Sequence, residues 1–95
     1  MAAFIVVDID VKDPEAYAGY IEHVPPLVAK HGGVYRARGG RHTVMEGDWD
    51  PKRMVIIEFP DRAAAEAFYG DPAYADLKKL RQTTTESNLV ILDGL

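Results

Sequence analysis

Three stretches of this chain are strand-like yet apolar on both of their faces, and that limits what it can fold into. In Ala3–Val11, an aliphatic row (Ile5, Val7, Ile9, Val11) alternates with Phe4, Val6, Asp8 and Asp10. In Arg53–Phe59, Met54, Ile56 and Glu58 oppose Val55, Ile57 and Phe59, and in Asn88–Asp93, Leu89 and Ile91 oppose Val90 and Leu92. A sheet with one wet face alternates apolar with polar residues instead. With 95 residues, the chain has helix enough to cover one face only. The other face needs cover from outside, most simply from a second copy. The all-aliphatic row suits the helices, and the mixed Phe4/Val6/Met54/Ile56 face is assigned to the partner.

The helices are marked by their ends. Asp13-Pro14-Glu15 supplies a cap acceptor, a proline at the first helical position and an acid favoured by the helix dipole. Tyr17, Tyr20, Ile21, Val24 and Val28 follow at helical spacing and form the buried stripe. Pro25 and Pro26 lack the N–H groups that the carbonyls of Ile21 and Glu22 need, which predicts a kink or a restart at Pro25. Gly32-Gly33 stops the helix. Asp61 caps a second helix with Ala65, Phe68 and Tyr69 inward. Gly70-Asp71-Pro72 then repeats the stop and start, ahead of a piece that turns Tyr74, Leu77 and Leu80 or Arg81 one way.

Between the helices lie two strand-like runs, Val34–Gly47 and Arg53–Phe59, joined by the turn Asp48–Lys52. Gly39-Gly40 either turns a tight hairpin inside the first run or bends one long strand. The long bent strand is preferred, because it leaves four strands and the simplest topology. The order is then β-α-β-β-α-β over residues 1–95 as a single domain. This α+β arrangement is the ferredoxin-like sandwich, a four-stranded antiparallel sheet with its helices on one face. Two copies joined through their open sheet faces make a dimeric α/β barrel.

Composition removes several classes of function. No apolar run approaches the roughly 18 residues of a membrane span, and no signal peptide is visible; a cytoplasmic location is the expectation. Without cysteine there is no disulfide, thiolate nucleophile or cysteine-based metal site. A net charge of −4 with scattered Lys and Arg argues against a nucleic-acid surface. The glycine pairs match neither a P-loop nor a dinucleotide fingerprint, and Ser87, the only serine, has no hydrolase setting. No cofactor is called for, and His23, His31 and His42 have no metal-ligand spacing.

The candidate site residues each carry two readings. His23, just before the proline break, is either an acid/base group, the one catalytic candidate, or a surface histidine at a helix kink. Arg38 either clamps the carboxylate of a small anion or pairs with Asp8, Asp10, Glu46 or Glu58 in the dimer interface. Trp49 forms the wall of a pocket or packs on the partner subunit. Tyr20, one turn before His23, completes a ligand-binding set of Tyr20, His23, Arg38 and Trp49, with Tyr74 and Arg81 behind it. Asp8 and Glu58 are carboxylates set in apolar strands. They act as bases with raised pKa values or are paired with arginine.

The opening strand, DPEAYAGY, the VPP break, GGVYRARGG, EGDW, KRMVIIEFP, YGDPAY and SNLVILDG together resemble a bacterial family over nearly the whole chain. It is domain-of-unknown-function family thirteen-thirty, of the dimeric α/β-barrel superfamily. The resemblance implies the ferredoxin-like fold and a homodimer through the sheet face. It brings no catalytic motif, since related branches include cofactor-free monooxygenases, lactone isomerases, haem-degrading enzymes and proteins without demonstrated activity. The first functional reading is a homodimer binding a small, anionic or aromatic metabolite between helices and sheet. The alternatives are a cofactor-independent oxygenase or isomerase with His23 as base, and a structural or regulatory dimer without a ligand.

Overall fold

The computed structural model describes all residues, 1–95. The elements run β1 (Ala3–Val11), α1 (Pro14–Lys30), β2 (Val34–Arg38), β3 (Met54–Phe59), α2 (Arg62–Tyr69), a single 3-10 turn at Pro72–Tyr74, α3 (Ala75–Thr84) and β4 (Thr85–Asp93). The strands pair antiparallel in the order β2-β3-β1-β4. This is the four-stranded ferredoxin-like sheet that the sequence predicts. Asp13, Asp61 and Asp71 cap α1, α2 and the 3-10 turn, accepting from the backbone N–H groups of Ala16, Ala64 and Ala73 at 3.3, 2.8 and 2.9 Å. No helix is long and apolar enough to cross a membrane.

The two faces of the sheet part as their alternation implies. Ile5, Val7 and Ile9 of β1 and Val55, Ile57 and Phe59 of β3 are buried beneath the helices, packed on Val24, Val28, Phe68 and Tyr74. The opposite face carries no helix. Phe4, Val6, Met54 and Ile56 are only partly covered there, and Val90 and Leu92 are each 57% exposed.

Three local expectations are corrected. First, the helix does not restart at Pro25: α1 continues as one helix through Pro25 and Pro26. Val24 and Val28, buried on either side of the pair, hold the helix against the sheet. The carbonyl of Ile21, freed by Pro25, finds its donor in Arg38 at 3.3 Å. Second, the long bent strand Val34–Gly47 does not form: β2 ends at Arg38, and residues 39–53 continue without helix or strand. Gly39 ends the strand with φ of +68°, which L side chains adopt at a cost, while Gly40 has ordinary geometry. Third, β4 begins at Thr85 rather than Asn88, because β1 is long enough to pair Thr85 with Val11.

Asp71 joins the end of α1 to the turn before α3. Its Oδ2 accepts from His31 Nε2 at 2.7 Å and from Lys30 Nζ at 3.0 Å. The bond from His31, then that from the Ala73 N–H, holds its carboxyl well below the usual carboxylate range. A carboxylate depressed by folding stabilises the fold when ionised, and this contribution is lost as pH falls below the unfolded value of 3.8. Urea unfolding at stepped pH is expected to show wild type losing stability below about pH 4, with a visibly flatter dependence in Asp71→Asn.

The glycine pair offers a second check. A Cβ on Gly39 would stand 2.8 Å from the Arg53 guanidinium carbon, whereas one on Gly40 meets nothing within 4 Å. Gly39→Ala is expected to cost about 1–2 kcal/mol. Gly40→Ala should be neutral or stabilising by less than about 1 kcal/mol. Equal effects in denaturant titrations would contradict this account of the strand end.

Candidate functional site

A narrow cleft lies between α1 and the helix-covered face of the sheet, with about 30 Å³ of free space, room for one or two waters as it stands. Its walls are mostly aliphatic, and its polar groups come from Tyr17, Tyr20, Tyr35, Tyr74, Arg38 and Arg53. Tyr17 and Tyr20, nearly a turn apart on the buried stripe of α1, stack with ring centroids 5.4 Å apart. Tyr74 comes from the 3-10 turn and meets Tyr20 edge to face, their hydroxyl oxygens 2.7 Å apart. Phe68 of α2 lies 4.6 Å beyond Tyr74, centroid to centroid.

Arg38 reaches this cleft because β2 contains a bulge. Tyr35 pairs with Ile57, but Ala37 pairs with Ile56 and Arg38 with Val55, so two residues of β2 oppose one of β3. Simple alternation would place Arg38 with Val34 and Arg36 on the open face. The extra residue turns it to the side of Val55, the helix side, which is a common use of a bulge. Its guanidinium then lies 4.8 Å from the Tyr35 ring centre and donates to the Ile21 carbonyl.

Arg53 immediately precedes β3 and shares the parity of Val55, Ile57 and Phe59. Its guanidinium packs against Gly39 and faces the Tyr17 hydroxyl, and its Nε is buried without a partner. A third arginine, Arg81 of α3, is only 3% exposed. It donates to Ser87 Oγ at 2.6 Å and faces the Tyr74 hydroxyl, and its Nε too has no partner.

None of these three arginines is ion-paired, whereas Arg36 pairs with Glu58 at 3.1 Å and Arg62 with Glu66 and Asp93 at 3.0 Å. Arg38 is exposed and Arg53 part-buried, whereas Arg81 is buried outright, where a cation is ordinarily paired because leaving water is costly for a charge. The cleft therefore holds positive charge without an internal counter-charge. Burial raises the hydroxyl pKa of Tyr17, Tyr20 and Tyr35, with Arg53 opposing the shift at Tyr17 and Arg38 at Tyr35. These tyrosines stay protonated and act as hydrogen-bond donors rather than bases.

Of the residues singled out in the sequence, Tyr20 and Arg38 come together here. His23 does not join them. Its side chain is 66% exposed, 3.9 Å from Glu22, on a different surface beside Pro26, Leu27 and Lys30. Trp49 is 64% exposed and lies on the helix-free face, where its Nε1 donates to Asp8 Oδ2 at 3.2 Å. Asp8 also accepts from the Lys52 backbone at 2.8 Å, and Glu58 is taken by Arg36, so both carboxylates serve the open face. The histidines lie apart: His31 rests on Asp71 and His42 on Asp50, at 2.7 and 3.1 Å. No carboxylate or imidazole lines the cleft.

Sequence reasoning missed Tyr17, Tyr35 and Arg53 as cleft residues. The signal for Arg53 and Tyr35 was available in the alternation of their strands. The bulge that redirects Arg38 leaves no such signal.

The family model described as "Domain of unknown function (DUF1330)" matches residues 2–95, and the chain belongs to that family. No curated protein matches the sequence. Among solved structures, a Rhodopseudomonas palustris protein of unknown function is 24% identical with a TM-score of 0.80, over 99% of this chain and 82% of that one. A dimeric ferredoxin-like protein of unknown function from Jannaschia sp. has 13% identity and a TM-score of 0.75, over 99% and 100%. SnoaB, a cofactor-independent oxygenase from Streptomyces nogalater, has 14% identity and a TM-score of 0.65, over 99% and 93%. At these identities the likeness shows the fold.

If Arg53 is kept for a ligand rather than for stability, removing its charge should not weaken the fold. Arg53→Met is expected to leave unfolding free energy unchanged or to raise it by about 1 kcal/mol, as buried charges replaced by apolar groups of similar volume often do. A loss of about 3 kcal/mol in urea titrations would make Arg53 a structural residue instead.

Proposed function

We propose that this member of the DUF1330 family is a homodimer that binds a small anionic metabolite with a flat, apolar body in the cleft between its helices and its sheet. The observation that carries the reading is the set of unpaired arginines in that cleft. Arg38 and Arg53 line it among tyrosines and aliphatic side chains, and nothing in the chain neutralises them. A guanidinium offers a planar fork of donors suited to a carboxylate or similar oxyanion. The tyrosine rings and aliphatic walls suit the rest of such a molecule, for which the cleft, with about 30 Å³ free, has to widen. His23 lies outside the cleft, so a base-catalysed reaction using it is not part of this reading.

The dimer reading rests on the helix-free face. Phe4, Val6, Met54, Ile56, Val90 and Leu92 present apolar surface there, and Trp49 lies over one end of it. The charges on this side, Asp10 with Lys12 and Glu58 with Arg36, are already paired at 2.8 and 3.1 Å, which lowers the cost of covering them. The Jannaschia neighbour is described as dimeric, which supports a second copy as the occupant.

Native mass spectrometry of gently purified protein tests both parts. Two chains plus a small increment, lost in Arg38→Met/Arg53→Met, is the expected result. Two bare chains that bind no aromatic carboxylate in a metabolite screen would overturn the ligand reading, and a single chain at micromolar concentration would overturn the dimer. Val90→Lys is expected to shift wild-type dimer to monomer in sedimentation runs, with the far-UV spectrum retained.

A further inference from the structure

A second concavity lies between the end of α2, the last turn of α3 and the edge strand β4. It has about 340 Å³ of free space, and Tyr69, Arg81, Gln82, Thr85, Ser87 and Leu89 line it. Thr85, Ser87 and Leu89 pair with Val11, Ile9 and Val7, so they lie on the helix side of β4, away from the open sheet face. Arg81 is 3% exposed and pairs with no carboxylate; its Nη1 donates to Ser87 Oγ at 2.6 Å, and its Nε is buried without a partner. An arginine in a last helical turn often serves the terminal carbonyls. That need is already met here. The Leu80 carbonyl accepts from Thr84 Oγ1 at 2.6 Å and the Arg81 carbonyl from Thr85 Oγ1 at 2.5 Å, while the Thr84 carbonyl accepts from the N–H groups of Lys12 and Asp13. The helix end therefore does not account for a buried, unpaired cation.

The groups around Arg81 are donors with capacity to spare. Thr85 gives its hydroxyl proton to the Arg81 carbonyl, so toward Ser87, 3.2 Å away, it only accepts. Ser87 Oγ accepts from Arg81, which leaves the Ser87 proton with that one long contact and free to turn to a better acceptor. Gln82 is exposed at the rim. Lys78, one turn earlier on α3, holds its Nζ 3.8 Å from the centre of the Tyr69 ring, a second cation beside the groove without a carboxylate partner. No acid lines the groove, and Glu86, paired with Asp10, falls on the other side of β4.

We propose that this groove binds a phosphate group, as the free ion or as a small monoester, through Arg81, Ser87 and Gln82, with Lys78 adding charge. Arginine and lysine are the usual partners of phosphate, one as a directed fork and the other as a point charge. A carboxylate presents two oxygens in one plane. Phosphate presents oxygens around a tetrahedron, which suits donors that come from the groove's base at Arg81 and Ser87, from its rim at Gln82 and from α3 at Lys78. The small apolar share of the lining, Tyr69 and Leu89, favours a compact polar ligand over a flat apolar one. The site is separate from the Arg38 and Arg53 cleft, and neither reading depends on the other.

The test titrates the full chain with inorganic phosphate, glycerol phosphate and acetate at constant ionic strength, followed by amide NMR shifts. Phosphate is expected to bind at least about tenfold tighter than acetate, with the shifts gathered at Gln82, Thr85 and Ser87. A monoester tighter than the free ion would assign the groove to a phosphorylated metabolite, and the reverse to phosphate itself. Ser87→Ala should weaken phosphate about tenfold, as loss of a hydrogen bond to a charged group does. Arg81→Lys risks the fold, so Gln82→Glu carries the charge test. The residue is exposed, and a carboxylate at the rim should weaken phosphate at least about tenfold while leaving the unfolding midpoint unchanged. A purely structural Arg81 would not make anion binding depend on Gln82. Three results would each overturn the proposal: no phosphate binding at millimolar concentration, binding undiminished in both Ser87→Ala and Gln82→Glu, or shifts gathered at Tyr35 and Arg38 instead.

Discussion

Tyr74 has no exposed surface and carries a hydroxyl that must be satisfied, and this joint requirement organises the helical layer. The residue ends the turn between α2 and α3. Its ring is held by Phe68 of α2 at 4.6 Å and by Tyr20 of α1 at 6.3 Å. Phe68 in turn packs on Phe59 of β3 at 5.5 Å. An aromatic row therefore crosses from the first helix to the sheet through one residue. Its hydroxyl is satisfied within that row by Tyr20, 2.7 Å away. Asp71, three residues earlier, fixes the turn from the polar side by accepting from His31 and Lys30. Packing and hydrogen bonding thus agree at the same junction, which is what a chain with a small core needs.

The arginines pull the other way. Arg53 and Arg81, each with a buried and unpartnered Nε and no carboxylate partner, are a cost that packing alone does not recover. The chain does not lack acids: Glu58 and Asp10 are both used, but on the opposite face of the sheet. The bulge in β2 is what separates Arg38 from them, since regular alternation would leave it on the side of Arg36 and Glu58. A local irregularity thus converts a surface ion-pairing residue into one aimed at a cleft. Features that lower stability while concentrating charge in a concave, largely apolar place are characteristic of binding sites.

Much of the fold was legible in the sequence because its signals are local. Asp13-Pro14, Asp61 and Asp71-Pro72 announce helix starts through one side-chain acceptor each. The aliphatic row of Ile5, Val7 and Ile9 identified the buried face by parity. What was not legible depends on partners distant in the chain. The proline pair reads as a break, yet α1 continues as one helix with Val24 and Val28 buried against the sheet, and Arg38 replaces the lost donor at Ile21. The extent of β2 depends on Gly39 lying against the Arg53 guanidinium, which no pattern within Val34–Gly47 shows. The site divided in the same way. Tyr20 followed from helical spacing. Arg38 reached the cleft only through a register shift, and the expected break at Pro25 misplaced His23, which is exposed on another surface of the same helix.

The segment 39–53 connects the two faces of the sheet. It begins with Gly39 against the Arg53 guanidinium in the cleft. Its middle passes to the open face, where Trp49 and the Lys52 backbone are both tied to Asp8. It returns at Arg53, whose carbonyl accepts from the Ile9 N–H at 2.9 Å before its side chain enters the cleft. Asp8 and Ile9 are adjacent on β1 and point to opposite faces, so one strand holds both ends of this excursion. A second copy docked on the open face would press on Trp49 and Asp8, and hence on the segment that delivers Arg53. The open face of the sheet and the charge in the cleft are in that way joined by a single stretch of backbone.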